Sequence, residues 1–206
     1  HLELLGAATN VSAANTATTF LNTGNLVLGN AAGDTLTFAG GLTATAPAAV
    51  QAAGTVNTTN AAIGLGTAPV TLTDNTSFNA GSGLITLGGT VDGAYTLALN
   101  STGVTNLCSA VGDGAALTSI TTNTGGTVVI KGGRITTSGA QTYNDDVLLD
   151  NAAARATVLN TTTAAVMFGA KLNNNTANAE ALTVNTGNGA VTFTGAVGDA
   201  VGTNNG

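Results

Sequence analysis

The chain is poor in almost everything that enzymes and nucleic-acid binders need. Charged residues make up 7% of its 206 positions, against roughly 25% in an ordinary globular protein. Lys131, Arg134, Arg155 and Lys171 are the only basic side chains other than His1. They form no basic stripe, so nucleic acid is not an expected partner. His1 is the only histidine, which excludes His-based catalytic triads and paired-His metal sites. There is no Trp, and aromatics total 3%, so any core is built from small and aliphatic side chains. Cys108 stands alone, so no intrachain disulfide can form. Strand alternation points it outward beside an inward Leu107, and no base or cation lies close enough in sequence to activate it. No run approaches the roughly 20 apolar residues of a membrane helix, so membrane insertion is not expected. No charged-then-apolar leader opens the chain at His1, and the sequence reads as a piece of a longer protein.

What is present is Gly, Ala, Thr and Asn arranged around a period of two. Leu26/Leu28, Leu36/Phe38, Val70/Leu72, Ile85/Leu87 and Tyr95/Leu97/Leu99 alternate with small or polar residues. So do Val128/Ile130, Val147/Leu149, Val166/Phe168, Leu182/Val184 and Val191/Phe193. Each is the signature of a strand with one buried face. Gly-Gly and Asn clusters separate the runs, as at Gly88-Gly89, Gly132-Gly133 and Asn173-Asn174-Asn175. The Ala-rich stretch 47–67 carries little of this alternation and reads as a loop insertion.

The phrase Ala-x-Gly-Asp occurs three times, ending at Asp34, Asp113 and Asp199, at intervals of 113 − 34 = 79 and 199 − 113 = 86 residues. Self-similarity at a fixed interval identifies stacked architectures, in which each unit buries its apolar side against its neighbours. The expected fold is therefore all-β: a single right-handed parallel β-helix, or β-solenoid, over residues 1–206, with a sequence repeat of about 80 residues spanning several coils. At about 20 residues and about 4.8 Å per coil, the chain makes about ten coils and a rod of about 50 Å.

Two phrases carry a family likeness: Gly88-Gly89-Thr90-Val91-Asp92-Gly93-Ala94-Tyr95-Thr96-Leu97, and Ile135-Thr136-Thr137-Ser138-Gly139-Ala140-Gln141-Thr142-Tyr143-Asn144-Asp145. With Ala110-Val111-Gly112-Asp113 and Leu117-Thr118-Ser119-Ile120, they resemble the β-strand repeats of large filamentous-haemagglutinin-like bacterial surface proteins. The resemblance covers about residues 70–199. It implies a parallel β-helix shaft, extracellular at the bacterial cell surface, that serves adhesion or biofilm. Partners would be neighbouring repeats, a further copy stacked end to end, or a glycan or host-surface ligand.

Candidate chemistry is sparse. Asp145, Asp146 and Asp150 form the densest acidic cluster. Such a group binds hard cations or pairs carboxylates for glycoside cleavage. Alternation sends Asp145 and Asp146 to opposite sides, however, and the spacing matches no calcium loop. Asn30-Ala31-Ala32-Gly33-Asp34 lacks the glycine spacing of calcium-binding nonapeptides. Thr124-Gly125-Gly126 through Lys131 lacks the spacing of a phosphate loop. Thr-x-Thr pairs at Thr35/Thr37, Thr43/Thr45, Thr71/Thr73 and Thr192/Thr194 suggest a surface hydroxyl ladder, but they do not recur once per coil. The expectation is a structural segment with no catalysis, no metal and no cofactor. A ligand-binding module and a carbohydrate-active β-helix enzyme stand as the alternatives.

Overall fold

A computed structural model describes residues 1–6, 9–12, 16–151, 156–175 and 180–198. Arg155 and Asp199 lie outside them. All described strand pairings are parallel, and no helix occurs among the described residues. The chain winds as a three-sided β-solenoid. Each coil lays down one short strand on each side and then repeats directly above itself.

Strand register defines three inward columns. On the first face the column runs Leu2, Leu26, Val50, Val70, Val91, Val111, Ile135, Leu159 and Val184. On the second it passes through Leu36, Val56, Phe78, Leu99 and Thr122, then on through Tyr143, Phe168 and Phe193. On the third it runs Thr18, Leu42, Ile63, Ile85, Thr105, Val128, Val147, Leu172 and Val197. Nine rungs give eight coil-to-coil steps, two fewer coils than a constant 20-residue period predicts. Coils vary from 147 − 128 = 19 to 36 − 9 = 27 residues, the difference being taken up at the corners. At about 4.8 Å per step the stack is about 38 Å long.

The alternating pairs form the core as their spacing requires. Leu26, Leu28, Leu36, Phe38, Val70, Leu72, Ile85, Leu87, Leu97 and Leu99 are buried, as are Val128, Ile130, Val147, Leu149, Val166 and Phe168. The core is one continuous cluster from Phe20 to Leu172. Burying each Leu or Val contributes about 1.5–3 kcal/mol relative to exposure. Near the C-terminal end the second-face column becomes aromatic: Tyr143, Phe168 and Phe193 stack with centroids 5.5 and 5.0 Å apart.

The stretch 47–67 is a regular coil and not an inserted loop. Ala49–Asn57 is one strand covering the first and second faces, and Ile63–Gly64 supplies the third. Val50, Ala52, Val56 and Ile63 are fully buried. Alanine hides the alternation here, because its small methyl fills inward positions without looking like a core residue in sequence. Gly54 bends this strand around the corner. Its φ is +72°, the register shifts beside it, and a Cβ there would lie 2.3 Å from the Asp34 carbonyl oxygen. Gly33, by contrast, has open space where its Cβ would project. Gly54→Ala is expected to lower stability by more than about 1 kcal/mol, combining left-handed strain with a backbone clash. Gly33→Ala should stay within about 0.5 kcal/mol. Urea midpoints of the two variants, read at constant m-value, check this.

Candidate functional site

The residues leading into the three Ala-x-Gly-Asp phrases lie on three different faces of the coil. Leu26 and Leu28, ahead of the first, lie on the first face; Leu107, ahead of the second, lies on the third; Val191 and Phe193, ahead of the last, lie on the second. The residues that lead into the phrases are thus not whole numbers of coils apart, although Asp34 and Asp113 themselves stand at the same corner, four coils from one another. What the phrases share is a corner. Gly33-Asp34 and Gly112-Asp113 turn the chain from the first face to the second, and Gly198 follows the third-face residue Val197. Their aspartates also differ. Asp34 is buried, and its Oδ2 accepts from the Asn30 amide at 2.8 Å, closing its own loop. Asp113 is half-exposed, and its Oδ1 accepts from Arg134 Nη1 at 2.7 Å.

Asp145, Asp146 and Asp150 sit together on the third side but do not converge. Asp145 ends the corner after Gln141–Tyr143 and turns inward, 1% exposed, where Oδ1 accepts from the Gly126 amide of the preceding coil at 2.7 Å. Asp146 opens the strand Asp146–Leu149 and accepts from the Lys171 amide of the following coil at 2.9 Å. Asp150 accepts from Asn175 Nδ2 at 2.6 Å and lies 3.9 Å from Lys131 Nζ. One carboxylate reaches down the stack, one reaches up, and the third bridges both neighbours. Among the described residues no group of three or more His, Cys, Asp or Glu could hold a metal ion. Cys108 is half-buried beyond the strand Val104–Leu107, and its backbone amide donates to the Leu87 carbonyl at 3.0 Å.

The same use of carboxylates recurs where the sequence drew no attention. Asp92 Oδ1 accepts from both Gly114 and Ala115 amides, at 2.8 and 3.0 Å. Asp74 Oδ2 accepts from the Ala32 amide at 3.0 Å. Corner loops leave backbone N–H groups outside the ladder, and a carboxylate from another coil satisfies them. Charge-assisted bonds of this kind are about twice as strong as neutral ones. A local signal exists only for Asp92, whose Asp-Gly pair marks a turn; the partner is some twenty residues away and invisible to local reading.

Gln141 and Tyr143, from the distinctive Gln-Thr-Tyr-Asn phrase, point into the core. Tyr143 Oη donates to Gln141 Oε1 at 3.0 Å, and Gln141 Nε2 donates to the Asn160 carbonyl at 2.9 Å and the Ile135 carbonyl at 3.2 Å. Burial pushes the Tyr143 phenol far above its ordinary range, so it acts as a fixed donor and not as a base. On the outer surface, a shallow groove of about 390 Å³ is lined by Asp113, Gly132, Gly133, Arg134, Asn151 and Val158. Its two charged groups already neutralise one another across the exposed Arg134–Asp113 pair. Comparison with protein-family models, with curated proteins and with solved structures finds no match to this chain.

Burial raises the Asp145 carboxyl above the usual carboxylate range, opposed by the Gly126 and Thr122 hydrogen bonds. Its Oδ2 is buried with no hydrogen-bond partner. A carboxyl whose folded pKa is raised binds its proton more tightly when folded. Its contribution therefore favours the fold at acidic pH and declines as pH rises from about 3.9, the unfolded value, through the raised one. Asp145→Asn keeps an acceptor for Gly126 and removes that titration. The stability difference, wild type minus variant, is expected to fall as pH rises through this window, read from thermal midpoints between pH 3 and 7. A difference independent of pH would contradict the assignment.

Proposed function

We propose that the chain is a structural shaft segment, a rigid spacer of a bacterial cell-surface adhesin or extracellular filament. The observation that carries this reading is how the polar chemistry is spent. Asp74, Asp92, Asp145 and Asp146 each accept from a backbone amide of another coil, while Asp150, Asp113 and Arg134 bond side chains of neighbouring coils. These groups hold coil to coil and converge on no common point where a substrate atom could sit. A continuous core runs beneath them, as a load-bearing column requires. The likeness of the Gly88–Leu97 and Ile135–Asp145 phrases to filamentous-haemagglutinin-type repeats supports the surface location.

Two assays test it on the 206-residue chain. Immobilised protein at micromolar concentration is expected to show no saturable signal on a glycan array. Incubation with polysaccharides is expected to release no reducing ends. Saturable binding abolished by Arg134→Ala would replace the shaft with a ligand-binding module using the Asp113–Arg134 groove. Hydrolysis lost in Asp146→Asn or Asp150→Asn would replace it with a carbohydrate-active enzyme.

A further inference from the structure

The second side of the solenoid presents a flat, uncharged polar surface within the stack. Its inward column Leu36, Val56, Phe78 and Leu99 is fully buried, so the residues on either side of each face outward. In register these form two columns. The first runs Thr35, Thr55, Ser77, Ala98, Thr121 and Thr142 over six consecutive rungs. The second runs Thr37, Asn57, Asn79 and Asn100. Register holds throughout both columns, since the shifts beside Gly54 and Ser101 fall outside them. No Asp, Glu, Lys or Arg occupies either column. Asp92 lies on the first side, and Lys131, Asp146 and Asp150 lie on the third.

This composition narrows what the surface can hold. Protein interfaces are enriched in aromatic residues and Arg, yet Phe78 and Tyr143 point inward and are fully buried. The same burial removes the aromatic planes on which flat ligands stack. A charged polymer finds no counter-charge. What remains is a row of neutral donors and acceptors with stiff geometry. β-Branching restricts each Thr rotamer. Ser77 Oγ donates to Asn79 Oδ1 at 2.9 Å and accepts from Asn100 Nδ2 at 3.2 Å, which ties the two columns together. Among the described residues, the hydroxyls of Thr55, Thr121 and Thr142 bond to no protein group.

Spacing identifies the ligand. Successive outward side chains stand about 4.8 Å apart along the stack. One water making two hydrogen bonds of about 2.8 Å spans that gap near the tetrahedral angle. In a lattice of tetrahedrally bonded water, the same bond length sets next-nearest oxygens about 4.6 Å apart. Over five steps the mismatch accumulates to about 1 Å, well under half a lattice spacing. A row of lattice oxygens therefore stays in phase with the column along its length. Only Ala98 leaves a rung without a hydroxyl or an amide in the row.

We propose that the second side binds ice, its hydroxyl column taking the place of a row of oxygens in the crystal surface. The inference lies beyond the shaft reading and does not rest on it.

Ice recrystallisation and the gap between melting and freezing points, measured on the 206-residue chain, test it. Wild type is expected to slow recrystallisation and to open the gap as its concentration rises. Thr121→Tyr with Thr142→Tyr puts two rings across the column and should abolish both effects. Thr86→Tyr, outward on the third side, should leave them unchanged. A wild type without either effect would overturn the proposal. So would a second-side variant as active as wild type, or a third-side variant that loses activity equally. Saturable glycan binding abolished by Thr121→Tyr would give the surface to a sugar and also overturn it. Should the second-side variant fail to fold, partition of wild type decides. The protein must enter slowly grown ice at a higher concentration than in the remaining liquid; exclusion from the ice overturns the proposal. Inactivity toward ice leaves the shaft reading intact, since that reading stands or falls on the glycan and hydrolysis assays.

Discussion

Everything in this molecule follows from stacking like strand on like strand in parallel register. The ladder places each residue about 4.8 Å from its counterparts above and below. A column of like charges at that spacing would repel by roughly 3 kcal/mol per pair at a surface dielectric of about 20. The low charge content is therefore a consequence of the architecture. Two pairs of opposite sign bridge neighbouring coils. Lys131 lies one rung from Asp150, and Arg134 pairs with Asp113 from the neighbouring coil. Neutral polar columns carry no such penalty and bond to themselves. Asn79 Nδ2 donates to Asn57 Oδ1 at 2.8 Å, and Asn100 Nδ2 donates to Asn79 Oδ1 at 2.7 Å. Threonine and asparagine are abundant because they can be repeated at every rung.

The interior obeys the same rule with a different chemistry. A triangular core fed by one or two side chains per strand has room for columns of Leu, Ile and Val and for a single aromatic stack. Some polar groups enter within strands, as Thr105 and Gln141 do, and others where the chain turns and the ladder lapses. Buried Thr122 is an example: its Oγ1 accepts from the Asn144 amide at 3.0 Å and the Asp145 amide at 3.3 Å. Thr137, Thr161 and Thr186 likewise donate to carbonyls two or three residues ahead, each closing a corner. An unpaired buried backbone group costs about 1–3 kcal/mol, so these hydroxyls and the corner carboxylates are as much part of the fold as the aliphatic columns.

The alternation that makes strands was legible in the sequence because it is local: Leu36/Phe38 or Val147/Leu149 each announce a buried face within four residues. The way strands stack was only partly legible, because coils of 19 to 27 residues blur any fixed period. Similar phrases at Leu26, Leu107 and Val191 thus landed on three different faces. The same blurring hid a surface column on the second face. Thr35, Thr55, Ser77, Ala98, Thr121, Thr142, Met167 and Thr192 follow one another in register, six of the eight bearing hydroxyls. The Thr-x-Thr pairs noticed in sequence touch this column only at its two ends. The carboxylates of the acidic cluster point apart for a related reason. Adjacent residues Asp145 and Asp146 leave a strand start in opposite directions, and a corner loop from a different coil claims each carboxylate.

Coil-to-coil register is the central claim, and engineered disulfides test it most directly. In a Cys108→Ser background, Ala98→Cys with Thr121→Cys places two outward cysteines on adjacent rungs, within the 4.4–6.8 Å Cα separation a disulfide spans. Ala98→Cys with Thr142→Cys places them two rungs apart, at about 9.6 Å. Mild oxidation of the folded protein is expected to close the first pair nearly completely and the second not at all. Closure of the second pair in preference to the first would contradict the stack.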